Sequence, residues 1–197
     1  NKLYGRQDEE DKLNKLYQQY IQEKTFKGII ISGGAGAGKS MLALHTKRLT
    51  NQSNGHFCSA KFEQNEMYSK PLATIGDMFN TLCEAFVEGA SPHDLEMVEK
   101  ELENRLGNQA SLLAGVVPSL IKLMPSPSHQ LETSSTCVDA AVSMRYLFGE
   151  LLRVISSHSK RPISLFIDDL QFADHASLHL IGYLLYSAKG GSSVFFI

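Results

Sequence analysis

The sequence predicts an α/β fold, a three-layer αβα sandwich on a mainly parallel sheet, and three features point to it. Short apolar runs of strand length alternate with longer stretches whose apolar residues recur at helical spacing. A glycine-rich turn from Gly33 to Ser40 joins one apolar run to one such helix. A second apolar run, Ser164-Leu165-Phe166-Ile167, ends in the pair Asp168-Asp169. Continuous apolar strands connected through helices belong to parallel sheets covered on both faces.

The elements follow in order. Asp8 to Glu23 reads as a helix, with Leu13, Leu16, Tyr17 and Tyr20 at helical spacing behind an acidic first turn. Lys27-Gly28-Ile29-Ile30-Ile31 reads as a short, fully buried strand. After the glycine-rich turn, Met41-Leu42-Ala43-Leu44 continues into a helix, and His56 to Phe62 forms a second strand. Ile75, Met78, Phe79, Leu82 and Phe86 mark one face of a helix with Thr74 as its N-cap. Pro92 to Arg105 and Gln109 to Leu123 read as further helices. Pro125 through Thr136 is polar and rich in Pro and Ser, an exposed flexible loop inside one domain rather than a boundary. A helix from Val138 to Ser157 leads to a strand from Pro162 to Ile167. Asp174 caps a helix reaching Ala188, and Val194 to Ile197 is the last strand.

Residues 1–197 are expected to form a single domain, since 197 residues bury one ample core. With 43% hydrophobic and 20% charged residues and a net charge of −2, the chain has the balance of an ordinary soluble protein. That balance disfavours a broad nucleic-acid or anionic-membrane footprint. Cys58, Cys83 and Cys137 are widely spaced and odd in number, which argues against a disulfide framework or zinc site and fits a reducing, cytoplasmic setting. No apolar run has the length of a membrane span, and no signal peptide opens the chain. The chain opens on Asn and closes on a strand-like Ser-Val-Phe-Phe-Ile, so it is expected to be a piece of a longer protein.

Gly33-Gly34-Ala35-Gly36-Ala37-Gly38-Lys39-Ser40 fits G-x-x-x-x-G-K-[ST]. The glycines let the backbone take positive φ and turn its N–H groups toward a phosphate. The following helix offers free N–H groups and a positive dipole end to the same anion. Lys39 reaches the β- and γ-phosphates, and the Ser40 hydroxyl ligates Mg²⁺. The candidate nucleotide-binding run extends through Met41. The Ser164–Ile167 strand delivers Asp168 and Asp169 to its carboxyl end, the edge where open α/β sheets bind ligands. There Asp168 holds the Mg²⁺ shell, and Asp169 is placed to polarise or deprotonate an attacking water. An apolar strand ending in acidic residues is common, and the upstream loop gives this one its meaning.

With both motifs in hand, the chain resembles the AAA-type, STAND-related P-loop ATPase module of large multidomain signalling proteins. These include histidine kinases, Ser/Thr kinases, cyclases and transcription regulators. Leu3-Tyr4-Gly5-Arg6-Gln7-Asp8-Glu9 resembles the family's entry motif h-h-G-R-x-x-E. Ser59-Ala60-Lys61-Phe62-Glu63-Gln64 is similar to its G-K-F-D-Q segment. Leu165 through Asp174 resembles L-F-L-D-D-L-Q-W-A-D, with Phe172 in place of the usual Trp. The likeness runs from Leu3 to Ile197. It implies ATP and Mg²⁺ as cofactors, Tyr4, Gly5 and Arg6 beside the adenine, and hydrolysis of the γ-phosphate. It also implies neighbouring signalling domains as partners and allows nucleotide-dependent oligomerisation. The family's fifth strand, sensor residues, arginine finger and helical lid follow the last strand, so they are expected beyond Ile197. The domain is therefore read as C-terminally truncated, with turnover by this stretch alone left open.

Other residues carry plainer readings. Asp174 caps a helix in preference to orienting a water with Gln171, and Glu63 and Gln64 form a solvated strand end in preference to approaching the γ-phosphate. His175 and His179 fall four apart on one helix and read as a surface pair, not a metal site, while Cys58 and Cys83 read as inert core residues. The leading functional reading is an ATP-hydrolysing regulatory switch. A non-catalytic nucleotide-holding scaffold and a DNA-associated initiator-like ATPase are the alternatives.

Overall fold

Leu13, Tyr17 and Tyr20 share one face of a helix, and that face is buried against the sheet. The computed structural model describes residues 7–34, 36–64, 71–125, 140–189 and 192–197. Helix α1 (Gln7–Glu23) leads to β1 (Lys27–Gly28), and the glycine-rich turn opens α2 (Lys39–Gln52), followed by β2 (His56–Lys61). Two helices, α3 (Ala73–Gly89) and α4 (Pro92–Leu106), and the short α5 (Ala110–Ala114) come next. Then α6 (Ala140–His158), β3 (Ile163–Asp168), α7 (His175–Ala188) and β4 (Phe195–Phe196) complete the described chain. The four strands form one sheet in the order β1-β4-β3-β2, with every pair parallel.

Strand parity divides the sheet into two faces. Cys58, Leu165, Ile167 and Phe196 join the larger core with the apolar sides of α3, α4, α6 and α7. Phe57, Phe166, Phe195 and Ile197 point the other way, toward the Tyr17 and Tyr20 rings of α1 and Leu49 of α2. The result is the expected three layers, with α1 and α2 on one face and the remaining helices on the other. The His45 ring meets the Asn14 side chain at 2.8 Å and ties α2 to α1.

Several elements differ from their sequence readings. β1 is not a fully buried strand from Lys27 to Ile31. Its ladder is Lys27–Gly28, prolonged by the Ile29 N–H donating to the Phe196 carbonyl at 2.9 Å, and Ile30 is 86% exposed. Among the described residues β1 has a strand neighbour only on its β4 side, so it is an edge strand of the sheet. The stretch from Gln109 to Leu123 is not one helix. α5 gives way to a 3-10 turn over Pro118–Lys122, because proline has no N–H to continue an α ladder. Thr74 lies inside the first turn of α3, whose cap is Leu72 in the left-handed region. The Pro125–Thr136 loop falls, after Pro125, outside the described residues.

Tyr20 closes the amino edge of the sheet. Its hydroxyl accepts the Ile163 N–H at 2.7 Å and lies 3.0 Å from the Ile163 carbonyl and 3.4 Å from that of Ser193. Burial pushes its pKa up to about 12, so it stays a neutral donor. Tyr20→Phe strands the buried Ile163 N–H, and we expect a loss of about 1–3 kcal/mol in unfolding free energy, read by urea titration.

Candidate functional site

Two stretches far apart in sequence meet at the carboxyl edge of the sheet. The first is the loop after β1. Gly36 and Gly38 hold φ of 75° and 81°, values that a side chain would oppose, so glycine is required at both. The Ala37 N–H donates to the Gly34 carbonyl at 3.2 Å, and the Met41 and Leu42 N–H groups donate to the Gly38 carbonyl, starting α2. Gly38 supplies no side-chain cap, so the Lys39 and Ser40 amides that open α2 carry the positive end of the helix dipole at the loop. Lys39 curls back over the loop, with Nζ donating to the carbonyls of Gly33 at 2.8 Å and Gly34 at 3.0 Å.

The second stretch is the end of β3. Ile163, Ser164 and Leu165 are fully buried, and pairing with β2 and β4 carries the strand to Asp168 at the edge. The Ser40 hydroxyl lies 3.5 Å from Asp168 Oδ2, at the outer limit of a hydrogen bond. Asp168 Oδ1 accepts the Asp169 N–H at 3.0 Å. Asp169 itself turns into the left-handed region, with φ 57° and ψ 43°, and starts a 3-10 turn over Leu170–Phe172. A cavity of about 130 Å³ opens here, lined by Lys39, Asp168, Asp169 and Gln171 among others. Ser40 and Asp168 offer hard oxygen donors side by side, the chemistry that suits Mg²⁺.

A separate cleft of about 340 Å³ lies between α1, the stretch that follows β1 and the start of α2. Leu13, Leu16, Ile29, Ile31 and Leu42 give it an apolar lining, with Glu9 and Lys12 at the mouth. Sequence reading assigned Leu13 and Leu16 to the buried face of α1, where both belong. Their second role depends on how α1 sits against β1, which no local pattern encodes.

The structure thus brings Gly33, Gly34, Gly36, Gly38, Lys39, Ser40 and Asp168 to one edge, with Asp169 beside them. Tyr4, Gly5, Arg6 and Ala35 lie outside the described residues. Asp174 caps α7 as expected, accepting the Ser177 N–H at 2.9 Å. The His175 and His179 rings sit 4.1 Å apart on the exposed side of α7, and no group of three or more His, Cys, Asp or Glu able to hold a metal occurs among the described residues. Cys58 and Cys83 are buried thiols, pushed up to about 12 by desolvation, which leaves them protonated and unreactive at neutral pH. Among the described residues no helix is long and apolar enough to cross a membrane.

Comparison with known proteins identifies the family of the chain. The chain is 30% identical over 200 residues to hybrid signal transduction histidine kinase G of Dictyostelium discoideum. The match covers 95% of this chain and 5% of that protein. No solved structure matches the chain significantly. The model of the AAA ATPase domain matches residues 2–197, so nearly the whole chain is covered, and it belongs to the AAA ATPase domain family.

Proposed function

We propose that this chain binds Mg-ATP on the loop from Gly33 to Met41, hydrolyses the γ-phosphate, and acts as a nucleotide-dependent switch within a larger signalling protein. The observation that carries this reading is the meeting of Ser40 and Asp168, 128 positions apart, at the mouth of the glycine loop. The family supports nucleotide binding, and the histidine kinase relative, of which the chain spans 5%, supports a setting among signalling domains.

The loop amides around Gly36 and Gly38 and the first turn of α2 receive the phosphate oxygens. Lys39 exchanges its two loop carbonyls for β- and γ-phosphate oxygens. Ser40 and Asp168 would hold Mg²⁺, which when bound neutralises phosphate charge. Asp169 orients a water and takes its proton as the water oxygen bonds to the γ-phosphorus. The bond from that phosphorus to the bridging oxygen breaks, and ADP and phosphate leave. The cleft lined by Leu13, Leu16 and Ile31 is large and apolar enough for a purine. It opens beside the start of α1, which immediately follows Tyr4, Gly5 and Arg6, so we assign the base to it.

Lys39→Ala removes two charge-assisted hydrogen bonds to phosphate and should weaken Mg-ATP binding about a hundredfold or more, read by calorimetry. Unchanged affinity would count against the whole reading. Asp169→Asn should retain Mg-ATP affinity while kcat falls by about a hundredfold or more in the intact protein. A normal rate in that variant would remove Asp169 as the base, whereas no multiple-turnover phosphate release by the unsubstituted intact protein would instead favour a role in holding nucleotide. Leu16→Trp fills the apolar cleft and should cost about tenfold in ATP affinity while inorganic tripolyphosphate binds as before. An equal loss for both ligands would remove the base from this cleft.

A further inference from the structure

Asp169 is fixed more closely than an edge carboxylate needs to be. Its backbone lies in the left-handed region, φ 57° and ψ 43°, which aspartate tolerates better than most residues with a side chain but still adopts in a minority of cases. Its N–H donates to Asp168 Oδ1 at 3.0 Å, and its carbonyl accepts the Phe172 N–H at 2.9 Å. The backbone is thus set from both sides, which leaves the side-chain torsions to be fixed. Gln171 does this, with Nε2 donating to Asp169 Oδ1 at 2.8 Å. A carboxylate only accepts hydrogen bonds, so the Gln171 amide must present its nitrogen to Asp169 and turn Oε1 away.

Burial does not demand this bond. Gln171 is exposed, and an exposed glutamine satisfied by solvent keeps its rotamer freedom. Both side chains line the cavity that holds Lys39 and Asp168. With Oδ1 engaged, Oδ2 is the oxygen left to meet a water.

We infer that Gln171 is a positioning residue for hydrolysis: it holds Asp169 Oδ1 so that Oδ2 faces the attacking water. The inference rests on the hydrolytic reading above. It assigns Gln171 no contact with nucleotide, so its effect passes entirely through Asp169.

The test is steady-state Mg-ATP hydrolysis by the intact protein carrying Gln171→Leu, Asp169→Asn, or both. Gln171→Leu should lower kcat about tenfold or more, as misplacement of a reacting group does. KM, Mg-ATP affinity and the thermal midpoint should stay as they were. In the Asp169→Asn background, Gln171→Leu should cost nothing further, because residues acting as a unit are non-additive. A normal kcat for Gln171→Leu, a loss that appears in KM or in the midpoint, or full additivity with Asp169→Asn overturns the inference alone. Undiminished kcat in Asp169→Asn overturns the assignment of Asp169 as base, and no hydrolysis by the unsubstituted protein overturns the hydrolytic reading; either result takes this inference with it.

Discussion

The candidate site depends on how α2 lies along β3. Near the helix's C-terminal end, the Thr50 hydroxyl meets that of Ser164 at 2.8 Å in a fully buried position. Thr50 already donates to the Thr46 carbonyl at 2.9 Å, so Ser164 is the donor in the pair. At the other end, Ser40 reaches Asp168. From Ser40 to Thr50 the helix rises about 15 Å, and from Ser164 to Asp168 the strand runs about 13 Å. The two spans match, so fixing one end sets the other. A slip of one helical turn, about 5.4 Å, would carry the Ser40 hydroxyl out of reach of the carboxylate.

That register needs a rigid strand, and β3 is the best-supported strand of the sheet. It is paired on both sides, and both of its faces are covered. The larger face is reinforced at its rim by Glu150, which is nearly buried between Arg105 of α4 at 2.6 Å and Arg153 at 2.8 Å. Such a carboxylate makes a small net contribution to stability, because desolvation offsets much of the attraction. It holds α4 against α6, and these helices in turn close the core beneath β3.

The parts of this arrangement that were legible in the sequence were local. The glycine loop, the Asp168-Asp169 pair, the Asp174 cap and the strongly periodic helices each carry their signal within a few residues. The failures share a different cause. Ile29-Ile30-Ile31 looks buried by composition, but composition does not say which strands have two neighbours. The stretch from Gln109 to Leu123 has helical periodicity, and the missing N–H of Pro118 outweighs it. The strand order and the apolar cleft beside α1 are tertiary facts, while the bond from Gln171 to Asp169 is local but depends on the turn that follows β3. In the sequence Gln171 offers, with Asp174, a group that could orient a water, and a spacing of two in a turn does not direct its side chain to Asp169 instead.

Lys39 shows how such a site can be stable and still responsive. Its ammonium holds the Gly33 and Gly34 carbonyls, which shapes the loop with the same group that phosphate would recruit. Binding on this scheme is an exchange rather than a simple gain. Two charge-assisted bonds to carbonyls are given up for bonds to a far more highly charged acceptor, and only the difference appears as affinity. The loop is left to be held by phosphate contacts to its amides instead of by Lys39. On the proposed function its conformation would be coupled to whether a γ-phosphate is present, and differential affinity of that kind is what a nucleotide-dependent switch requires.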